Sequence, residues 1–336
     1  LGDDIFKATE ETCFHGWDAY QEVIDAGVDA VILAAPPGFR PLHFRAAVDA
    51  GKHVFMEKPA AVDPVGVRSI LETSARAREK GLSVVAGTQR RHQNVYRDLI
   101  GRVHDGAIGE ILGAECYWVG DYGYYPAVHR EEGWSDTEWQ IRNWNYFTWL
   151  SGDHIVEQHV HNIDVIQWAL QADPVKCFGL GGRQQRTGPE YGHIYDHFAV
   201  EFEYPGGIRV QSLCRQNSNT FNRVGERLVG TKGVCDPQRA ITGAQEYAYA
   251  GEQGNPYVQE HAHWIESIRN NEPLDEGPDI ARSTLAAVMG RLAAYAGQEV
   301  TWDFVMNDST LDLAPPRTFG PLPVPPVAIP GVHALS

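Results

Sequence analysis

Two short stretches hold the residue types that could do proton chemistry. The first is "HVFMEKP", in which apolar Val54, Phe55 and Met56 run into Glu57, Lys58 and Pro59. A strand that reads as buried and then ends this way delivers an amine to its carboxyl end. That is the edge at which open parallel sheets take ligands. The second is "SGDHIVEQHVHNIDVIQWAL", residues 151–170. There Glu157, His161 and Asp164 are spaced i, i+4, i+7. On one continuous helix they fall within about 60° of one another. A carboxylate beside an imidazole fixes its tautomer and raises its basicity, which suits a general base near neutral pH. His154, Glu157 and His161 could also face a divalent ion, but the pattern is neither HExxH nor HxxEH. No further ligand motif accompanies it, so no metal site is expected.

The elements that must position these residues can be read from periodicity. Residues 28–35, "VDAVILAA", form a nearly continuous apolar run, as in a parallel strand buried on both faces. "PPGFRP" breaks it, and 42–50 reads as a helix closed by Gly51. "HVFMEK" is the next strand, 64–80 an amphipathic helix with Pro64 near its start, and "LSVVAGTQ" a third strand. Alternation of strand and helix with short connections predicts a Rossmann-type α/β domain over 1–108. From residue 109 the pattern changes. "ILGAECYWV" opens a strand region, and "HFAVEFEY", Pro205-Gly206-Gly207 and "IRVQSLCR" form an antiparallel hairpin with one covered face. Helices are expected near 153–171, 257–270 and 279–296, giving an α+β domain with a largely antiparallel sheet over 109–313. The proline-rich tail, 314–336, should lie extended on the surface.

Composition excludes several classes. The net charge of −16, without a Lys/Arg block, argues against nucleic acid and anionic membranes as partners. No apolar run approaches the roughly 18 residues of a membrane helix. Five scattered cysteines without CxxC spacing make neither a disulfide framework nor a zinc knuckle. One expected signal is missing. A Rossmann domain grips the dinucleotide pyrophosphate with GxGxxG at its first strand-to-helix turn, and no such motif occurs in that context. "GLGGRQ", 179–184, is nearest and sits among the later strands. The α/β pattern therefore reads as a domain entered halfway, with the glycine loop and any export signal expected upstream of Leu1.

Together the two stretches resemble the glucose–fructose oxidoreductase / inositol dehydrogenase / rhizopine catabolism family, Gfo/Idh/MocA. "AGKHVFMEKP" looks like its EKP motif, "EQHVHNID" like its DxxxHxxD helix motif, and "AAPPGFRPLHFRAAVDAGKHV" like the strand, proline turn and helix ahead of EKP. The likeness covers roughly 12–305. Glu157 stands where the family usually has Asp. "RNWNYFTWLSGDHIVEQHVHNID" is similar to a bacterial branch whose members often carry an export signal, which implies a periplasmic location.

The resemblance implies hydride transfer between NAD or NADP and a hydroxyl-bearing carbon of a sugar or polyol. His161 would be the base, Lys58 would hydrogen-bond the reacting hydroxyl, and Asp164 and Glu157 would orient His161 or bind neighbouring hydroxyls. Pro36, Pro37, His43, Glu57, Lys58, Pro59 and Arg142 would border the cofactor. Candidates for the substrate are Arg90, Arg91, Tyr122, Asn143, Trp144, Tyr195, His197 and Arg215. The same groups would serve an NAD-dependent glycosidase that oxidises, eliminates, hydrates and reduces. A sugar-binding or assembly module without catalysis is the third reading. A homodimer or homotetramer through the antiparallel sheet is expected.

Overall fold

The computed structural model describes residues 5, 7–120, 125–314, 316 and 318–336. Ahead of the first strand lie a 3-10 turn (Glu10–Thr12) and α1 (Ala19–Asp25). Strands β1 (Ala30–Leu33), β2 (His53–Met56) and β3 (Val84–Ala86) form a parallel sheet in that order, joined by α2 (Arg40–Asp49) and α3 (Pro64–Glu79). The start of α3 shows how the sequence sets an element. Asp63 caps it by accepting from the Gly66 N–H at 2.6 Å, Pro64 fills the first turn, and Arg76 and Arg78 sit in the last.

After α4 (Gln89–His92) and α5 (Asn94–His104), β4 (Ile111–Gly120) enters a second sheet. Four helices follow: α6 (Asp136–Arg142), α7 (Thr148–Ser151), α8 (His154–Glu157) and α9 (Val160–Leu170). The sheet is then completed by β5 (Lys176–Gly182), β6 (His197–Tyr204), β7 (Ile208–Gln216), β8 (Arg223–Gly230), β9 (Gly233–Asp236), β10 (Ala240–Gly243) and β11 (Tyr247–Ala248). α10 (Pro256–Arg269), α11 (Gly277–Ala296) and β12 (Val300–Thr301) follow, and a short π-helix over Phe304–Asp308 precedes the tail. Strand order is β11-β10-β9-β8-β4-β7-β6-β5-β12, antiparallel throughout except for β4 beside β7. The β6–β7 hairpin turns where predicted, with Gly206 and Gly207 both at positive φ.

Two features depart from a simple succession of halves. α11 lies between the sheets, packing on α3 and β3 on one side and on α9, β5 and β6 on the other. The chain also returns late to the first sheet: α10 packs on β2 and β3, and Val84 exchanges backbone hydrogen bonds with Leu274 and Glu276. The tail is extended where described. It is held by Gln140 donating to the Leu322 carbonyl at 2.6 Å and by Tyr195 donating to the Ala328 carbonyl at 2.9 Å.

Candidate active site

β2 ends where its ladder partners stop, with the Glu57 N–H donating to the Leu33 carbonyl at 3.0 Å. Pro59, which has no N–H, follows Lys58 through a cis peptide bond. Buried Arg40 fixes this turn from below, donating to the carbonyls of Leu33 and Pro59. Burial pushes its guanidinium down to about 10, against the opposing pull of Glu57 and Glu157. Lys58 is thereby presented at the carboxyl edge of the parallel sheet.

Its amine crosses to the second half of the molecule. Lys58 Nζ donates to Glu157 Oε1 and to the Glu157 carbonyl oxygen, each at 2.6 Å. Glu157 ends α8, and the helix expected over 153–171 is in fact two. It breaks at Gln158–His159 before α9 begins. The break has a tertiary cause: His159 is fully buried, and its Nε2 meets Ser212 Oγ on β7 at 2.8 Å. α8 begins at a tight corner, where Gly152 and Asp153 both take positive φ. The Asp153 carboxylate is fully buried. It accepts from the His154 and Tyr195 N–H groups and from the Tyr295 hydroxyl, and burial pushes it up to about 6.

His161 lies in the first turn of α9 with its ring stacked on Trp118, the centroids 5.8 Å apart. Burial first, then the Lys58 and Arg90 cations, hold it well below the ordinary histidine range, so the ring is neutral. Asp164 does not orient it. Its carboxylate is gripped by Arg91, with Nε and Nη2 each at 2.9 Å, and accepts from Ser283 Oγ at 2.7 Å. The three residues expected on one face thus divide their partners: Glu157 takes Lys58, His161 takes Trp118, and Asp164 takes Arg91 and Ser283.

The remaining candidates are dispersed. Arg90 is buried against Glu226 at 2.5 Å, in a network with Tyr96 and Asn162. His43 stacks between Tyr20 and Phe39 beside the half-buried Pro36 and buried Pro37. Arg142 is exposed, paired with Glu138 at 3.1 Å and lying over Trp134. Both ends of the Asn143 amide are used by the backbone of Val128 and Glu190, and Trp144 meets Tyr125 edge-on. Tyr195 is buried, with its hydroxyl on the tail. His197 and Arg215 line a cavity of the second sheet with Tyr117 and Arg223, and Lys58 is not among its lining residues. Tyr122 lies outside the described residues.

Other groups now join the site. His154, Glu157, Gln158, Asn145, Arg186, Gln216 and Tyr125 line a narrow cleft beside Lys58's partner. His154 stands three residues before Glu157, a spacing the sequence shows. Asn145, Arg186 and Gln216 come from three separate segments and carry no such signal. Among the described residues no cluster of three or more His, Cys, Asp or Glu is placed to hold a metal ion.

The residues at the edge formed by β1, β2 and β3 have chemistry that suits a nicotinamide amide. Thr88 Oγ1 and Gln89 Oε1, just past β3, are enclosed without a hydrogen-bond partner, polar capacity that a ring amide can use. Glu57, Lys58, Pro59 and the Pro36–Pro37 turn frame the same edge.

Comparison with known proteins bears on this arrangement. Residues 5–88 match a model described as an oxidoreductase family with an NAD-binding Rossmann fold, and residues 96–236 match the GFO/IDH/MocA C-terminal domain. The chain is 31% identical over 217 residues to inositol 2-dehydrogenase 3 of Saccharopolyspora erythraea, covering 64% of this chain and 56% of that protein. It is 27% identical over 183 residues to 2,7-anhydro-N-acetylneuraminate hydratase of Escherichia coli, covering 54% and 44%. The scyllo-inositol 2-dehydrogenase (NAD(+)) of Bacillus subtilis is 24% identical over 217 residues, covering 64% and 57%. The chain spans about half the length of these curated relatives. Among solved structures, aldose-aldose oxidoreductase of Caulobacter crescentus aligns with a TM-score of 0.68 at 20% identity, covering 84% of this chain and 82% of that one. Scyllo-inositol dehydrogenase of Lactobacillus casei, with bound NAD(H) and scyllo-inositol, aligns with a TM-score of 0.64 at 20% identity, covering 84% and 83%. These last likenesses carry the fold alone.

Proposed function

Because the chain belongs to the Gfo/Idh/MocA oxidoreductase family, we propose that it oxidises or reduces a hydroxyl-bearing carbon of a polyol or sugar, inositols being the first class to try. One observation carries this reading. Lys58 stands at the carboxyl edge of the parallel sheet, held at 2.6 Å by Glu157 and within electrostatic reach of a neutral, buried His161.

The roles follow from the donors and acceptors present. Two of the three Lys58 ammonium hydrogens are engaged by Glu157, which leaves one for a substrate oxygen. That donor polarises the carbon–oxygen bond as a carbonyl develops. His161, neutral and kept in place by Trp118, takes the hydroxyl proton on oxidation and returns it on reduction. Glu157 aims the amine, and Arg91 and Ser283 hold the α9 end of the site through Asp164. When bound, the nicotinamide supplies the hydride acceptor or donor. NAD is the cofactor of the Bacillus subtilis and Lactobacillus casei proteins, and NAD rather than NADP is our assignment.

A second reading is favoured by the hydratase among the relatives. Oxidation, elimination, hydration and reduction in sequence would use the same Lys58 and His161 and return the cofactor unchanged. Incubating the full-length enzyme with NAD or NADP and a panel of inositols and aldoses separates the two. Growth of reduced-nicotinamide fluorescence marks a dehydrogenase. Bond cleavage or hydration without it marks the redox-neutral cycle. Neither product with any substrate, from enzyme shown to hold its cofactor, would sink both.

A further inference from the structure

His154 has no part in the mechanism above, yet it is the buried group with the least satisfied chemistry near Lys58. It opens α8, is 6% exposed, and lines the cleft with Glu157 and Arg186. Its Nε2 is fully enclosed and has no hydrogen-bond partner. The backbone of Trp118 engages the ring. Since Nε2 is the nitrogen without a partner, that contact falls to Nδ1. The stabilising backbone group is a carbonyl, so Nδ1 carries the hydrogen and Nε2 is left as a lone pair. Burial, Arg186 and Lys58 push the imidazole down to about 3, so the lone pair persists at every working pH. An enclosed acceptor without a donor forgoes its hydration with nothing in exchange, and such a group in a folded protein calls for an explanation. The cleft it lines has a volume of about 10 Å³, room for roughly one water or one hydroxyl.

We propose that this cleft is a second hydroxyl subsite, in which His154 Nε2 accepts a hydrogen bond from a substrate hydroxyl adjacent to the one that Lys58 and His161 handle. The substrates are then vicinal diols. The proposal rests on the oxidoreductase reading for the place of the first hydroxyl. Asn145 and Gln216, on the cleft wall, supply amide groups for the oxygen of the same hydroxyl.

The test uses the full-length enzyme loaded with NAD and labelled with ¹⁵N at histidine, with scyllo-inositol and a deoxy-inositol lacking one hydroxyl as probes. The free enzyme should show His154 as the Nδ1–H tautomer, and its Nε2 resonance should move at saturating scyllo-inositol. His154→Phe should raise the KM for scyllo-inositol about 10-fold or more with kcat little changed. It should also abolish the preference for scyllo-inositol over the deoxy-inositol. His154→Gln, whose amide oxygen can accept, should recover part of that preference and decides the matter if His154→Phe does not fold. An unmoved Nε2 resonance at saturating scyllo-inositol, or equal discrimination in wild type and variant, overturns the proposal and leaves the cleft to a water. A shift without hydride transfer keeps the diol subsite and removes the oxidoreductase reading. Hydride transfer with an unmoved His154 does the reverse.

Discussion

Lys58 and His161 differ in how the protein readies them. Lys58 is aimed by two acceptors on one residue, Glu157, whereas His161 has no hydrogen-bond partner among the described residues and is placed by ring packing alone. Lys58→Ala and His161→Ala should each lower turnover about 10²-fold or more, as read from steady-state kinetics. Near-normal turnover in both would remove the mechanism. The pH profile offers a sharper check. An unshifted histidine base loses its neutral form below about pH 6.5. Burial and two neighbouring cations hold His161 below that, so its base form survives further into acid. For polyol oxidation kcat/KM should therefore hold between pH 7 and pH 6, and an acid limb centred near 6.5 would count against His161. At this scale the sequence was informative about residue type and face but silent about partner. Glu157, His161 and Asp164 were legible from spacing. Asp164's partners, Arg91 and Ser283, lie 73 and 119 positions away, and no periodicity reports a contact at such separation.

The elements were largely readable because each carries its own local signals. The strands ending at Leu33, Met56 and Ala86 and the hairpin at Pro205–Gly207 fall where apolar runs and glycines place them. The division of α8 from α9 was not readable. "IVEQHVHN" contains neither glycine nor proline, and the break comes from His159 reaching Ser212 across the core. A similar tertiary constraint acts at Gly38, between β1 and α2. A Cβ added there would stand 2.0 Å from the Trp149 carbonyl oxygen, a backbone atom that cannot swing away. Gly38→Ala should destabilise the protein by about 1–3 kcal/mol in chemical denaturation, by forcing the β1–α2 turn off α7. Across α4, α9 and β8, the buried Arg90–Glu226 pair should behave as a keystone of opposite kind. Glu226→Ala strands a buried guanidinium and should cost about 3–5 kcal/mol, whereas a shape-matched apolar replacement of both partners should cost far less.

At the scale of the whole molecule, the buried histidines set the response to acid. His43, His154, His159 and His193 are all pushed down, to about 4, 3, 3 and 4, and His161 lies well below its ordinary value. Burial is the leading cause for each. In the unfolded chain they take up protons near pH 6.5 and in the folded one they do not, so stability is full above 6.5 and is lost as pH falls toward 4. Glu260 and Asp153, pushed up to about 8 and 6, act in the opposite sense, as do Asp63, Asp173, Glu226 and Asp279, but His53, His263 and His333 are also pushed down, which sets eight histidines against six carboxyls. The melting temperature should therefore drop between pH 7 and pH 5, and a rise would show the carboxyls to dominate. The open face of the second sheet, with Phe178 and Leu180 exposed on β5, is the surface through which we expect a dimer or tetramer. Sedimentation of the full-length protein as a monomer would refute that.

The hold of Glu157 on Lys58 has a mechanical consequence. The two residues stand 99 positions apart, one just past β2 of the parallel sheet and the other at the end of α8, so one contact both aims the amine and ties these two elements together. Any hinge motion that parts them at this joint also lets the amine swing free. On the proposed mechanism, productive placement of the amine therefore requires this joint to be made.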